Sequence, residues 1–239
     1  MARSPAGENA DVRRPPWPTV GLLLAAFAAV LGLLMVLGEL VTHLVTRGPM
    51  HRTELHWESD LVGLRTPWLD HVTRVGTFLG STSTVLVLTA IGCLVLARRG
   101  HGIQLPTFLI AAVLGETLLF LIAQQVFHRA RPPVLRLDPA APTSSFPSGH
   151  TAASVALWGG VALGMARTHP RHHLLVLARS LAVAVPAFVL FARLYRGMHW
   201  PTDVAASLVF TWAWLVLLRE VLLPHTRRVL GRSAGRLQP

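Results

Sequence analysis

Residues 20–45 read VGLLLAAFAAVLGLLMVLGELVTHLV, an apolar run with Glu39 as its one acidic residue and no arginine. A bilayer core takes about 20 such residues per helical crossing. Five further apolar runs follow at 75–97, 103–127, 151–166, 174–191 and 204–218. The spacing predicts an all-α, six-span transmembrane helical bundle, because each run is apolar around its whole circumference, as helices embedded in lipid must be. The runs at 151–166 and 204–218 are short, as expected of helices that begin in a site at the membrane surface. The first run is longer than a signal-peptide core and has no small-residue cleavage site closing it, so a retained span is expected.

Composition agrees with this reading. Of 239 residues, 52% are hydrophobic and 14% charged, and mean hydropathy is +0.50, far from soluble averages. The expected organisation is a polar cytoplasmic tail at 1–18, a six-helix membrane domain at 19–223 and a basic cytoplasmic tail at 224–239. There is no room for a separate soluble domain. All 22 basic residues are arginine. They are scattered between apolar runs and form no stripe with interleaved aromatics, which argues against nucleic acid as a partner. Cys93 stands alone and excludes an intramolecular disulfide.

With the N-terminus inside and a change of side at each span, 13 arginines fall inside and nine outside. The bias favours cytoplasmic termini. Segments 128–150 and 193–203 then share the outer face, and they hold the densest polar chemistry in the chain. In Pro147-Ser148-Gly149-His150, a favoured N-cap serine and a glycine precede an apolar helix, whose free N–H groups and dipole suit phosphate. Taken alone, the tetrapeptide reads first as an ordinary capped helix. In His199-Trp200-Pro201-Thr202-Asp203, Pro201 fits a first helical turn, which puts Asp203 one turn from His199. An Asp203 that accepts the His199 Nδ1 proton leaves Nε2 free as a nucleophile; a surface histidine beside a helix-start aspartate is the plain alternative. Arg131 and Arg193 offer planar forks to phosphate oxygens.

These segments resemble the signature of the type 2 phosphatidic acid phosphatase family, which is written K-x6-R-P, P-S-G-H and S-R-x5-H-x3-D. Here the parts stand as Gln124-x6-Arg131-Pro132, Pro147 to His150, and Ala192-Arg193-x5-His199-x3-Asp203. The resemblance implies a phosphohistidine mechanism without metal or cofactor. In it His199 attacks phosphorus, His150 protonates the departing oxygen, and Asp203 supports His199, while Arg131, Arg193, Ser148 and the Gly149 amide bind the phosphoryl oxygens. Neutral His199 beside protonated His150 implies a bell-shaped pH dependence. The sequence departs from the pattern at two positions. Gln124 replaces the family's lysine and brings no charge, and Ala192 replaces its serine. Arg129 and Arg196 are near enough in sequence to be expected as substitute cations.

The implied substrate is a lipid phosphate presented at the outer leaflet of the cell membrane, with undecaprenyl diphosphate preferred. Phosphatidic acid or phosphatidylglycerophosphate is the alternative within the same chemistry. A lipid-phosphate binding or transport protein without turnover is the alternative of another class, motivated by Gln124. Outside the signature, Glu39 and Glu116 lie within apolar runs, where structural and functional readings both stand. Trp57, Trp68, Trp200, Trp212 and Trp214 are expected as interface anchors and packing. Residues 47–69 carry Leu55, Trp57, Leu61 and Leu64 at loosely helical spacing, which predicts a surface-lying segment.

Overall fold

The computed structural model describes residues 16–99, 102–139, 143–167 and 171–223. Both expected tails lie mostly or wholly outside the described residues. Each apolar run becomes helix: α1 is Pro16–Glu39, continued by a π-helical turn Leu40–Val45, and α5 is Gln104–Val126, α6 Gly149–Met165, α7 His172–Tyr195 and α8 Pro201–Leu222. The run at 75–97 is not one straight span. It is a pair, α3 Pro67–Leu79 and α4 Thr82–Arg98, bent by 53° at Gly80–Ser81. The Ser81 hydroxyl accepts the Thr84 N–H and caps a new helix there. Gly80 is required at the bend, because a Cβ would lie 3.0 Å from the His150 carbonyl oxygen and 2.7 Å from Val189. Residues 47–69 contain a helix of their own, α2 Pro49–Gly63.

Among the described residues, four helices are long and apolar enough to cross a membrane: α1, α5, α7 and α8. The bent α3–α4 pair makes a fifth. The last run, read as short from its hydropathy, is a helix of 22 residues, while α6 has 17. α6 packs against α5, α7 and α8, α1 lies along α8, and α3 lies along α7. The core between them is built from side chains such as Leu34, Phe108, Leu119, Phe210 and Leu215. Many leucines and valines, including Leu24, Val36, Leu114 and Val183, point outward. That pattern suits helices solvated by lipid, where apolar surface needs no burial in protein.

Trp200 and Trp214 are buried, whereas Trp57, Trp68 and Trp212 are exposed. The Nε1–H of Trp214 donates to the Ala112 carbonyl and that of Trp200 to the Ala130 carbonyl. A buried indole needs such a partner. Glu39 faces outward beside His43, and Glu116 is buried next to Thr117.

Candidate active site

The C-terminal ends of α5 and α7 meet the N-terminal ends of α6 and α8 at one end of the bundle, with residues 127–139 and 143–148 laid across them. They enclose a cavity of about 260 Å³ whose lining includes Gln124, Arg131, Gly149, His150, Arg193 and His199, with Phe120, Thr143, Ser144 and Met198 also in its wall. Two segments separated by more than forty residues thus converge on one space. Gly197 makes the reversal from α7 into α8 possible. Its φ of +67° belongs to the left-handed region, and a Cβ there would meet Val134 at 2.7 Å.

His199 is buried, and its Nδ1 lies 2.7 Å from the Ser145 carbonyl oxygen. A carbonyl only accepts, so Nδ1 carries the proton and Nε2 keeps its lone pair. The expected partner was Asp203, but its Oδ2 stands 3.9 Å from Nδ1, beyond hydrogen-bonding reach. Asp203 is committed elsewhere. Oδ2 accepts the Trp200 N–H at 3.0 Å, closing the first turn of α8, and Oδ1 accepts from Arg129 at 2.5 Å. Burial pushes the His199 imidazole well below its ordinary pKa, and the charges of Arg193 and Arg131 push it further, against the Ser145 hydrogen bond. His199 is therefore neutral at physiological pH.

Arg131 is held by the Met198 carbonyl at 2.6 Å and by Thr143 and the Ser144 carbonyl. Arg193 donates to Asp138 at 2.9 Å and to Thr77 at 3.1 Å. In both, the Nε–H is buried without a protein partner, so each cavity-lining guanidinium retains a donor. Burial raises the Asp138 carboxyl, but hydrogen bonding to Arg196 and the charges of Arg193 and Arg196 outweigh it and hold it below the usual carboxylate range.

Other expected residues stand differently. Ser148 is fully buried, its hydroxyl faces Thr151 at 3.0 Å, and its N–H donates to Ser207 at 2.9 Å. It occupies the N-cap position of α6 but makes no side-chain cap, so a direct grip on an anion is not what its geometry offers. Gln124 donates through Nε2 to the carbonyls of Ser144, Phe146 and Pro147, at 3.0–3.4 Å. It fastens the loop to α5. Arg129 and Arg196 do not line the cavity. Arg129 is paired with Glu54 and Asp203, and Arg196 with Asp138 and three further acceptors. This goes against the expectation that either substitutes for the missing lysine: their charges are already matched by carboxylates, buried Glu54 and Asp203 for Arg129 and half-buried Asp138 for Arg196.

Sequence reasoning missed Ser145, Asp138, Glu54 and Glu58. Ser145 acts through its main chain, which leaves no trace in a residue pattern. Glu54 and Glu58 did leave one, two carboxylates one turn apart in a segment with apolar flanks. Both are buried. Burial, with the carboxylates of Glu54 and Asp203 and against the pull of Arg65, pushes the Glu58 carboxyl up to about 8.

A second cavity of about 390 Å³ shares Phe120, Gly149 and His150 with the first and runs between α4, α5 and α6 past Val85, Leu86, Val113, Glu116 and Leu121. No group of three or more His, Cys, Asp or Glu suited to a metal ion occurs among the described residues.

A sequence profile of the PAP2 superfamily matches residues 104–227, just over half of the chain and all of the cavity's motif-bearing segments. The chain belongs to the PAP2 superfamily. Over 122 residues it is 34% identical to an undecaprenyl-diphosphatase of Sulfolobus acidocaldarius, covering 50% of this chain and 54% of that protein. Over 69 residues it is 39% identical to phosphatidylglycerophosphatase B of Escherichia coli, covering 29% of this chain and 25% of that one. The chain thus spans about half the length of the first relative and a quarter of the second. A PAP2 type phosphatidylglycerolphosphate phosphatase from Bacillus subtilis superposes with a TM-score of 0.68 at 21% identity, covering 86% of this chain and 94% of that one. LpxE of Aquifex aeolicus gives 0.53 at 23%, covering 69% and 94%. At these identities the structures establish a shared fold. With the apolar helices, that fold makes this PAP2 chain a multi-pass membrane protein.

Proposed function

We propose that this PAP2 protein hydrolyses the phosphate or diphosphate ester of a membrane lipid, with undecaprenyl diphosphate as its substrate and a phosphohistidine on His199 as intermediate. The carrying observation is that a buried, neutral His199 with Nε2 free shares one cavity with His150 and two guanidiniums. In the first step Nε2 attacks the terminal phosphorus, the bond to the leaving oxygen breaks (that of the lipid alcohol in a monophosphate, the bridging oxygen of the lipid monophosphate in a diphosphate), and His150 gives that oxygen its proton. In the second, water loses a proton to His150 as its oxygen displaces Nε2, releasing inorganic phosphate. Arg131 and Arg193 neutralise the charge spread over the phosphoryl oxygens. The Ser145 carbonyl orients the imidazole, and the Asp203 carboxylate lends its field from 3.9 Å.

The largely apolar second cavity supports a lipid rather than a soluble ester, since a chain leaving the phosphate past Phe120 meets mostly hydrocarbon, with Thr82, Glu116 and Thr117 as the polar residues beyond His150. In the same reading α6 is a sixth span, the termini are cytoplasmic and the site faces outward. A glycerolipid phosphate is the second reading, favoured by the 39% identical stretch shared with phosphatidylglycerophosphatase B. Phosphate release by purified protein in detergent with EDTA, from undecaprenyl diphosphate, phosphatidic acid and phosphatidylglycerophosphate, tests the proposal. His199→Ala is expected to abolish release, with a loss on the order of 10⁴-fold or more in kcat. No release from any of the three by folded wild-type protein overturns the phosphatase reading in favour of binding or transport.

A further inference from the structure

Glu54 belongs to none of the three signature segments. It lies in α2, on the face that turns inward, and is 2% exposed. Its Oε2 accepts from one terminal nitrogen of Arg129 at 2.6 Å. Its Oε1 accepts from the Thr202 hydroxyl at 2.5 Å and the Thr202 N–H at 3.2 Å. One carboxylate therefore ties α2 both to the loop and to the first turn of α8.

Arg129 carries the connection onward. Its other terminal nitrogen donates to Asp203 Oδ1 at 2.5 Å and to the Thr202 hydroxyl at 2.8 Å, and its guanidinium lies 5.3 Å from the centre of the Trp200 ring. The Arg129 main chain holds the opposite support of His199: its N–H donates to the Ser144 hydroxyl at 3.1 Å, and its carbonyl accepts the Ser145 N–H at 2.9 Å. Ser145 is the residue whose carbonyl fixes the His199 tautomer. Both groups around His199 Nδ1, the Ser145 carbonyl and the Asp203 carboxylate, are thus fastened to one arginine. That arginine shares its charge between two buried carboxylates, and neither it nor Glu54 lines the cavity.

We infer that Glu54 is a positioning residue for the phosphatase reaction, holding His199 in place and in its reactive tautomer through Arg129; this rests on the phosphatase reading above. Buried charge pairs are costly to break on one side, so removal of the Glu54 charge disturbs the arginine rather than merely exposing it. The groups facing Glu54 are Arg129, Asp203, Glu58 one turn along α2, and His51, whose Nδ1 is 3.9 Å from Oε2; Arg65 lies near Glu58. Together they present His199 with a fixed field, of which Glu54 supplies one negative charge.

The test is Glu54→Gln, which keeps size and hydrogen-bonding capacity but removes the charge, set beside Glu54→Asp, which keeps the charge on a shorter stem. Displacement of a catalytic group by about an ångström costs up to about 100-fold, so Glu54→Gln is expected to lower kcat by about 10- to 100-fold while KM stays within about threefold. The acid limb of the kcat/KM profile is expected to move to lower pH, because one fewer negative charge supports the imidazolium. Glu54→Asp restores the limb towards wild type and recovers part of kcat, and it carries the comparison if the Gln variant fails to fold. Histidine ¹⁵N shifts, with the His199 signal assigned by its loss in His199→Gln, read the tautomer without turnover. A single Nδ1-protonated form in wild type and a mixture in the Glu54 variant are expected. An unchanged tautomer, a loss confined to KM, or a kcat loss with an unmoved pH profile overturns the inference. Absence of turnover in wild type overturns the phosphatase reading instead, and the ¹⁵N comparison still decides the role of Glu54.

Discussion

Arg131 and Arg193 line the cavity, whereas Arg129 and Arg196, two and three residues away in the chain, are turned from it and bound by carboxylates. All four are guanidiniums in the same two segments. Their difference lies in what faces them. Glu54 and Asp203 share Arg129, and Asp138 joins Arg196 to Arg193. A site for phosphate thus contains cations that line it, Arg131 without a carboxylate partner among the described residues and Arg193 sharing Asp138, and cations turned away from it, and proximity in sequence does not tell them apart.

Mutation of the two kinds should separate cleanly. Arg131→Ala or Arg193→Ala removes an electrostatic partner of the transferring phosphoryl group and should lower kcat/KM by about 10²- to 10³-fold, with melting temperature nearly kept for Arg131→Ala. Arg129→Ala leaves Glu54 and Asp203 buried without their cation. It should cost about 3–5 kcal/mol of stability, read as a lowered melting temperature in detergent, and should reduce kcat more than KM. Equal thermal stability of Arg129→Ala and Arg131→Ala would erase the distinction.

The pH profile sharpens it further. His199 is held well below its ordinary pKa, so the folded site stays neutral as pH falls past about 6.5, the usual imidazole value. Activity that depends on neutral His199 is lost only when pH falls through its depressed folded-state pKa. The matching stability contribution is fully present above the unfolded value and is lost as pH falls towards the folded one. Because the charges of Arg193 and Arg131 depress His199, Arg131→Ala should move the acid limb to higher pH. The smallest effect is expected from Gln124→Lys. Three loop carbonyls already take the Gln124 amide, and a lysine ammonium placed there meets the same acceptors. Turnover should change by less than about threefold; a large gain would show that the cavity lacks a cation after all.

The bend at Gly80–Ser81 was written in Gly80-Ser81-Thr82-Ser83-Thr84, yet the surrounding apolar run masked it, since hydropathy averages over a break that a single cap creates. The length of α8 was underread for a related reason: Thr202, Asp203, Arg219 and Glu220 are polar but helical, and Asp203 satisfies the Trp200 N–H at the helix start. The histidines, the cavity-lining arginines and Gly149 stood in the motifs on which the resemblance rests, and the structure brings them to one cavity. The partner of His199 stood in none of them.

By itself, the sequence determined that this chain is helical and crosses a membrane, and which three segments carry its polar chemistry, because hydropathy, helix starts and short motif spacings are local properties. Tertiary structure decided which arginines line the cavity, that Ser145 rather than Asp203 holds His199, and that α2 is tied through Glu54 to the segments that build the site. These outcomes depend on pairings across 54 to 148 residues, where a buried charge or N–H takes whichever acceptor packing brings within about 3 Å.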